Sequence, residues 1–80
     1  MIWGINQFAA MMPYIRADLV EMISLKDELS SEEAIGRLYS SKLYELLENE
    51  GTKVWHYSTD MLYSLYAQEQ RTGTIEFPDV

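Results

Sequence analysis

The segment from Trp55 to Gly73 is the clearest helix in the sequence, and it constrains the fold more than any other stretch. Ser58 is of the residue type that caps helix N-termini, and Gly73 is a typical stop. At about 100° per residue, the large apolar side chains between them share one arc, which we expect to be buried. These side chains are Met61, Leu62, Leu65 and Tyr66.

Glu69 projects into the middle of that apolar arc. A carboxylate on a buried face needs a hydrogen-bond partner or must reach water at the helix end. We therefore expect Glu69 to be shielded and bonded to a basic or tyrosine side chain, or to the backbone of the C-terminal tail.

A second apolar stripe runs through the N-terminal region and passes Pro13, which would lie on the opposite side. Its members are Phe8, Met11, Met12, Ile15, Leu19, Met22 and Ile23. Two interpretations remain open: a kinked helix from about Asn6 to Lys26, or a helix that begins at Pro13. The shared stripe favours helix on both sides of the proline. Met11 and Met12 also offer alternative translation starts.

The middle of the chain predicts two helices with a break between them. Ser30 and Glu33 have the spacing of a capping box. The buried stripe that follows is predicted to be Ala34, Ile35, Leu38 and Tyr39. Past Ser40 the apolar phase slips, so we predict a break at Ser40-Ser41 and a short third helix through Glu48, with either Ser40 or Ser41 as its cap.

These elements predict a single all-α domain over residues 1–80, a small antiparallel bundle of three to four helices. Residues 1–12 are interpreted as a mobile or docking N-terminal extension. Residues 74–80 are predicted to form an extended tail, because Ile75 and Phe77 alternate with polar residues. The tail would lie across the bundle, anchored by these two side chains, or pair with a sheet edge on another protein.

The charge and composition of the chain limit the kinds of partner that it can bind. Thirteen acidic and six basic residues give a net charge of −7, which repels phosphate backbones, so we expect no direct nucleic-acid binding. An acidic surface instead suits a basic partner. We expect a cytoplasmic protein without a membrane partner, because no secretory signal or membrane-spanning stretch is visible. The chain has no cysteine, which excludes disulfides and thiolate metal sites.

No residue pattern indicates catalysis, a cofactor or a metal, and we predict that the chain is not an enzyme. His56, Ser58 and Asp60 lie within one turn at a helix start, where the serine and the aspartate serve as caps. A second group of acidic residues straddles the turn before the second helix but lacks the ligand spacing of a calcium loop. We interpret it as a solvated acidic corner; it comprises Asp27, Glu28, Glu32 and Glu33.

Aromatic residues are the best candidates for partner contacts, since tyrosine and tryptophan bury large areas and keep a polar tip. The predicted partner-binding residues are Trp3, Phe8, Trp55, Tyr57 and Tyr63. Trp3, Ile5 and Phe8 form an apolar strip for which so small a core has little cover. We therefore expect the isolated chain to form a homodimer or to offer this strip to a protein partner.

The sequence resembles a group of small bacterial proteins of unknown function over roughly residues 15–75, with Met1–Met12 outside the resemblance. The matching motifs are packing and turn residues: Leu38-Tyr39-Ser40-Ser41, Leu43 to Leu47, Thr52 to Trp55, and Glu69 to Ile75. Members of such families are often encoded beside toxin-like genes. The resemblance implies an antitoxin-like or other partner-binding role.

Two functional hypotheses follow. The first is a non-enzymatic protein–protein interaction module that binds through apolar and aromatic side chains. The second is an acidic mimic of nucleic acid, which would block a basic nuclease or DNA-binding protein through the acidic corner.

Overall fold

The computed structural model describes residues 7–77, which form four α-helices and two short 3₁₀ turns. The helices are α1 (Gln7–Lys26), α2 (Ser31–Tyr39), α3 (Lys42–Leu47) and α4 (Thr59–Thr72). The 3₁₀ turns, Glu50–Thr52 and Val54–His56, connect α3 to α4. The described residues contain no β-strand, which confirms the predicted all-α class.

The core lies where α1 meets α2 on one side and α4 on the other, with α3 packed against both α2 and α4. Burial of apolar side chains between these helices drives the assembly. The buried apolar side chains are Met12, Leu19, Ile23, Ala34, Leu38, Leu43, Leu47, Val54, Trp55, Leu62, Leu65 and Tyr66.

The first helix is continuous through Pro13, which confirms the interpretation of one long helix. Pro13 is exposed on the far side from the core, as its phase predicts. Residues 7–12 belong to α1, and Met12 is only 3% exposed. Met11, which the sequence placed in the buried stripe, is instead 39% exposed.

The predicted break at Ser40-Ser41 is confirmed, because α2 ends at Tyr39 and α3 begins at Lys42. The Ser41 hydroxyl accepts a hydrogen bond from the Tyr44 N–H at 3.1 Å and donates one to the Leu38 carbonyl at 2.6 Å. One buried serine thus caps the new helix and ties it to the end of the old one.

The predicted capping box of α2 is present, since Ser30 and Glu33 bond each other's backbone N–H groups. Of the four side chains predicted to form the buried stripe of this helix, two are buried and two are not. Ala34 and Leu38 are fully buried, whereas Ile35 and Tyr39 are 40% and 50% exposed. A helix turns about 100° per residue, so a contact centred on Ala34 and Leu38 leaves the other two at its margin.

The last helix begins and ends where the sequence predicts. The Ser58 hydroxyl accepts from the Met61 N–H at 3.2 Å, and Gly73 ends the helix with a φ of 82°, a left-handed conformation that favours glycine. Glu69 is partly shielded, as expected, but its carboxylate accepts from the backbone N–H groups of Lys42 and Leu43. Its hydrogen-bond partners are therefore backbone groups at the start of α3, not the basic or tyrosine side chain or the tail backbone expected from the sequence.

Residues 74–77 follow α4 without helix or strand. Ile75 is half-buried against the core, and the Glu76 N–H donates to the Gln68 side chain at 2.7 Å. Phe77 stacks on Tyr57 with ring centroids 6.4 Å apart. Residues 78–80 of the predicted tail and residues 1–6 of the predicted N-terminal extension lie outside the described residues.

Candidate protein-interaction surface

A groove of about 420 Å³ runs between α1 and α2 on the outside of the domain. Three large apolar side chains border it and remain exposed to water: Leu25 at 73%, Tyr39 at 50% and Ile35 at 40%. Clustered exposed apolar side chains often mark binding surfaces, whereas single ones are ordinary. We refer to this feature as the α1–α2 groove; its lining residues are Arg16, Ala17, Val20, Glu21, Ser24 and Leu25 of α1 and Ser31, Ile35 and Tyr39 of α2.

Small side chains open the groove. Ala17 and Ser24 of α1 and Ser31 of α2 line it, and they leave room between the helices where larger residues would fill the space. The turn between the helices is closely bonded at this end: the Ser24 hydroxyl donates to the Leu29 carbonyl at 2.6 Å, and the Leu29 N–H donates to the Ser24 carbonyl at 3.0 Å. These bonds hold the turn that joins the two groove walls to the end of α1.

The charged side chains at the groove are mainly negative. Its one lining cation, Arg16, lies 3.6 Å from the Glu48 carboxylate in a partly exposed ion pair, which offsets part of its charge. Glu21 lines the α1 wall and is exposed. Glu32 is exposed on α2, three residues before Ile35 and therefore on the adjoining helix surface.

A tyrosine pair closes the other end of the groove. The rings of Tyr39 and Tyr44 stack with centroids 4.4 Å apart and planes inclined by 16°. Burial raises the pKa of Tyr44 to about 12, with further contributions from hydrogen bonding and charge at Tyr39 and Glu48. The half-buried Tyr44 ring stacks against the exposed Tyr39 ring and supports it at this end of the groove.

Three of the predicted partner-binding residues lie together at a different place, beside the N-terminal half of α1. Phe8 packs edge-on against Trp55 with ring centroids 5.4 Å apart, and Tyr57 follows two residues after Trp55. Trp55 is only 5% exposed, and its indole N–H donates to the Glu50 carbonyl at 3.0 Å. Trp55 thus belongs to the core. Trp55 and Tyr57 also line a smaller cleft of about 330 Å³, together with Met11 and Tyr14.

Tyr63 and Trp3 do not join this group. The Tyr63 hydroxyl donates to an Asp27 carboxylate oxygen at 2.5 Å, and the Lys26 ammonium lies 5.5 Å from the Tyr63 ring centroid. Tyr63 therefore links α4 to the end of α1. Trp3 and Ile5 lie outside the described residues, so the N-terminal strip is represented here by Phe8 alone.

Sequence reasoning missed the α1–α2 groove. Leu25 falls outside the predicted stripe of α1, and that mismatch was the available signal for an exposed apolar residue. Ile35 and Tyr39 were assigned to the core because an interface residue and a core residue produce the same helical periodicity. The sequence therefore identified the side chains as ones that need burial, without indicating what buries them.

The residues considered for chemistry have other partners in the structure. Ser58 caps α4, and the His56 ring packs on Trp55 with centroids 4.0 Å apart. In the acidic corner, Glu33 bonds the Ser30 backbone, and hydrogen bonds from Ser30 hold the pKa of the Glu33 carboxyl below its usual value. Within residues 7–77, no group of three histidine or carboxylate side chains could hold a metal ion.

No helix among residues 7–77 is long and apolar enough to cross a membrane. No family model, curated protein or solved structure matches the chain. The resemblance to small bacterial proteins therefore stays a prediction.

Proposed function

We propose that the protein is a non-enzymatic protein–protein interaction module that binds its partner through the α1–α2 groove. The observation that carries the proposal is the exposure of Leu25, Ile35 and Tyr39 along one groove. Two of them, Ile35 and Tyr39, have the helical spacing of core residues, yet the isolated chain leaves them exposed. Each square ångström of apolar surface exposed to water costs about 25 cal/mol, which favours a partner that covers it.

The antitoxin-like role that the resemblance implies is part of this proposal, with a bacterial cytoplasm as its setting. A neutralising protein needs only to occupy a surface of its target, and a small rigid helical domain suits that task. The predicted partner-binding residues Phe8, Trp55 and Tyr57 lie at a different place and are not part of the proposed groove contact.

Site-specific photocrosslinking tests the proposal. A benzophenone amino acid is placed at position 35 in the groove, and in a second variant at position 77. Ile35 and Phe77 are a matched pair, because both side chains are 40% exposed and lie on different parts of the surface. We expect position 35 to crosslink to one defined protein in cells of the native host, and position 77 to give no such product.

The same host cells supply the control for specificity. Tyr39→Ser, introduced with the crosslinker at position 35, should remove the product because it deletes an exposed groove side chain. A defined product from position 77 but none from position 35 would contradict the groove as the interface.

The acidic mimic is the second candidate, and the observation that favours it is the exposure of all four carboxylates of the acidic corner. Two of them, Asp27 and Glu33, already accept hydrogen bonds within the domain. A mimic would inhibit a basic nuclease with an affinity that falls steeply with salt, and charge removal at Glu28 and Glu32 would abolish inhibition. Retained inhibition after that double substitution would exclude the mimic.

A further inference from the structure

We infer that the occupant of the α1–α2 groove is a basic amphipathic helix of the partner protein. This inference rests on the proposed function and specifies the partner's chemistry. The groove lies between two helices and is open along one side, so a third helix can present a row of apolar side chains to it. Helix-in-groove recognition uses such a row, spaced at i, i+3, i+4 and i+7.

The shape of the groove supports a helical occupant. Ala17, Ser24 and Ser31 give it a shallow lining of small side chains, which allows close approach of another backbone. Leu25 lies toward one end, with Ile35 and Tyr39 on the opposite wall. An apolar stripe that enters between these walls would contact all three exposed side chains.

Charge determines which kind of amphipathic helix fits. Glu21 on α1 and Glu32 on α2 flank the exposed apolar side chains, while Arg16 forms a partly exposed ion pair with Glu48. The whole chain carries a net charge of −7. Lysine and arginine residues beside the apolar stripe of the partner would pair with the flanking carboxylates and steer the encounter.

The same charges argue against a second copy of this chain in the groove. In a two-fold dimer, each groove would face its own equivalent, and Glu21 and Glu32 of both chains would lie along the same contact. Like charges across an interface are unfavourable, and each chain contributes a net charge of −7.

Three synthetic peptides of roughly 18 residues test the occupant, a length at which an isolated helix begins to be stable. The first carries leucine on one helical face and lysine on the other. The second has the same leucine positions with glutamate in place of lysine. The third has the composition of the first in scrambled order, which removes the apolar stripe but keeps the charge. Binding to the full chain is measured by fluorescence anisotropy, first at about 0.05 M salt.

We expect the leucine–lysine peptide to bind and the other two to bind at least about tenfold more weakly. Ile35→Ser should weaken binding about tenfold, whereas its matched control Phe77→Ser should leave it unchanged. Glu21→Gln with Glu32→Gln should weaken binding several-fold and flatten its salt dependence. Asp60→Asn with Glu76→Gln is the control pair, because it removes the same two negative charges at positions outside the groove. Asp60 also matches Glu32 in position, since each lies in the first turn of its helix.

Equal binding of the ordered and scrambled lysine peptides would overturn the inference, because it would reduce the contact to general attraction between opposite charges. Insensitivity to Ile35→Ser would overturn it as well. Stronger binding of the glutamate peptide would overturn the inference that the partner helix is basic, although the groove would still be an interface. If no peptide binds while position 35 still crosslinks to a partner in cells, the inference fails and the proposed function stands; if that crosslink is also absent, both fail.

Discussion

Glu69 on α4 caps the N-terminus of α3 by accepting a hydrogen bond from the Lys42 backbone N–H, 2.8 Å away. Its second oxygen accepts from the next residue's N–H at 3.1 Å. Helix N-termini have unpaired N–H groups and the positive end of the helix dipole, and a carboxylate satisfies both. The contact spans 27 residues of sequence and fixes a six-residue helix that could not persist alone.

Glu69→Gln should lower the free energy of unfolding by about 1–3 kcal/mol. The amide keeps one acceptor oxygen but loses the negative charge and the second acceptor. Urea unfolding followed by circular dichroism measures the change, and Glu76→Gln on the exposed tail serves as the control. An unfolding midpoint equal to that of the wild type would show that the cap adds nothing.

Ser41→Ala should lower the free energy of unfolding by about 1–2 kcal/mol, because it removes the α3 cap and the hydroxyl bond to the Leu38 carbonyl, which keeps only the bond from the residue 41 backbone N–H. Ser40→Ala is the matched control: the Ser40 hydroxyl donates to the Gly36 carbonyl at 2.9 Å but is exposed, so water can replace it. Urea midpoints of the two variants give the comparison. The prediction is wrong if both substitutions have the same effect.

Much of the fold follows from local signals. The capping box at Ser30, the caps at Ser41 and Ser58 and the stop at Gly73 act within a few residues, so the sequence alone locates the ends of three helices. The long first helix was harder, because Pro13 allowed two interpretations. Its apolar stripe favoured helix on both sides of the proline but left both interpretations open, and the structure shows the continuous helix.

The candidate surface could not be found in this way. Periodicity shows that Ile35 and Tyr39 require burial, but it cannot distinguish an intramolecular from an intermolecular contact. The partners of Glu69 and Tyr63 were also beyond reach, since both contacts join residues more than 20 positions apart. Such pairs depend on how the helices pack, which no local pattern specifies.

Tyr63→Phe should lower the free energy of unfolding by about 1 kcal/mol at neutral pH, because it deletes the hydrogen bond to Asp27. That bond and burial raise the pKa of Tyr63 from 10.0 to about 12. The raised pKa adds stability that is complete below pH 10 and is lost as pH rises toward 12. Between pH 10 and pH 12, the free energy of unfolding should therefore fall less steeply with pH for Tyr63→Phe than for the wild type, as measured by chemical unfolding. Parallel losses would contradict this assignment.

Tyr66→Phe should behave in the opposite way. The Tyr66 hydroxyl is buried without a direct hydrogen bond among residues 7–77, and burial raises its pKa although the nearby Arg37 side chain acts to lower it. The substitution keeps the ring in the core and removes an unpaired polar atom, so the free energy of unfolding should stay the same or rise by up to about 1–2 kcal/mol. Thermal unfolding compares this variant with Tyr63→Phe. A clear loss of stability would indicate that the hydroxyl has a partner in solution, such as a bound water.

The isolated chain should form a weak homodimer whose affinity increases with salt. Apolar contact through the N-terminal strip favours association, while the net charge of −7 on each copy opposes it, and salt screens that repulsion. Binding of a basic helix in the groove should weaken with salt, so the two contacts respond in opposite directions. Sedimentation equilibrium at several protein concentrations, in about 0.05 M and about 0.5 M sodium chloride, measures the dimer.

Two variants locate the dimer contact. A chain that begins at Met12 lacks Trp3, Ile5 and Phe8, and it should sediment as a monomer. It also loses the contact between Phe8 and Trp55, so its unfolding midpoint should fall. Ile35→Ser changes the groove and should leave the dimer intact. If that substitution dissociates the dimer while the shortened chain retains it, the self-contact lies in the groove, and the argument that Glu21 and Glu32 exclude a second copy there is wrong.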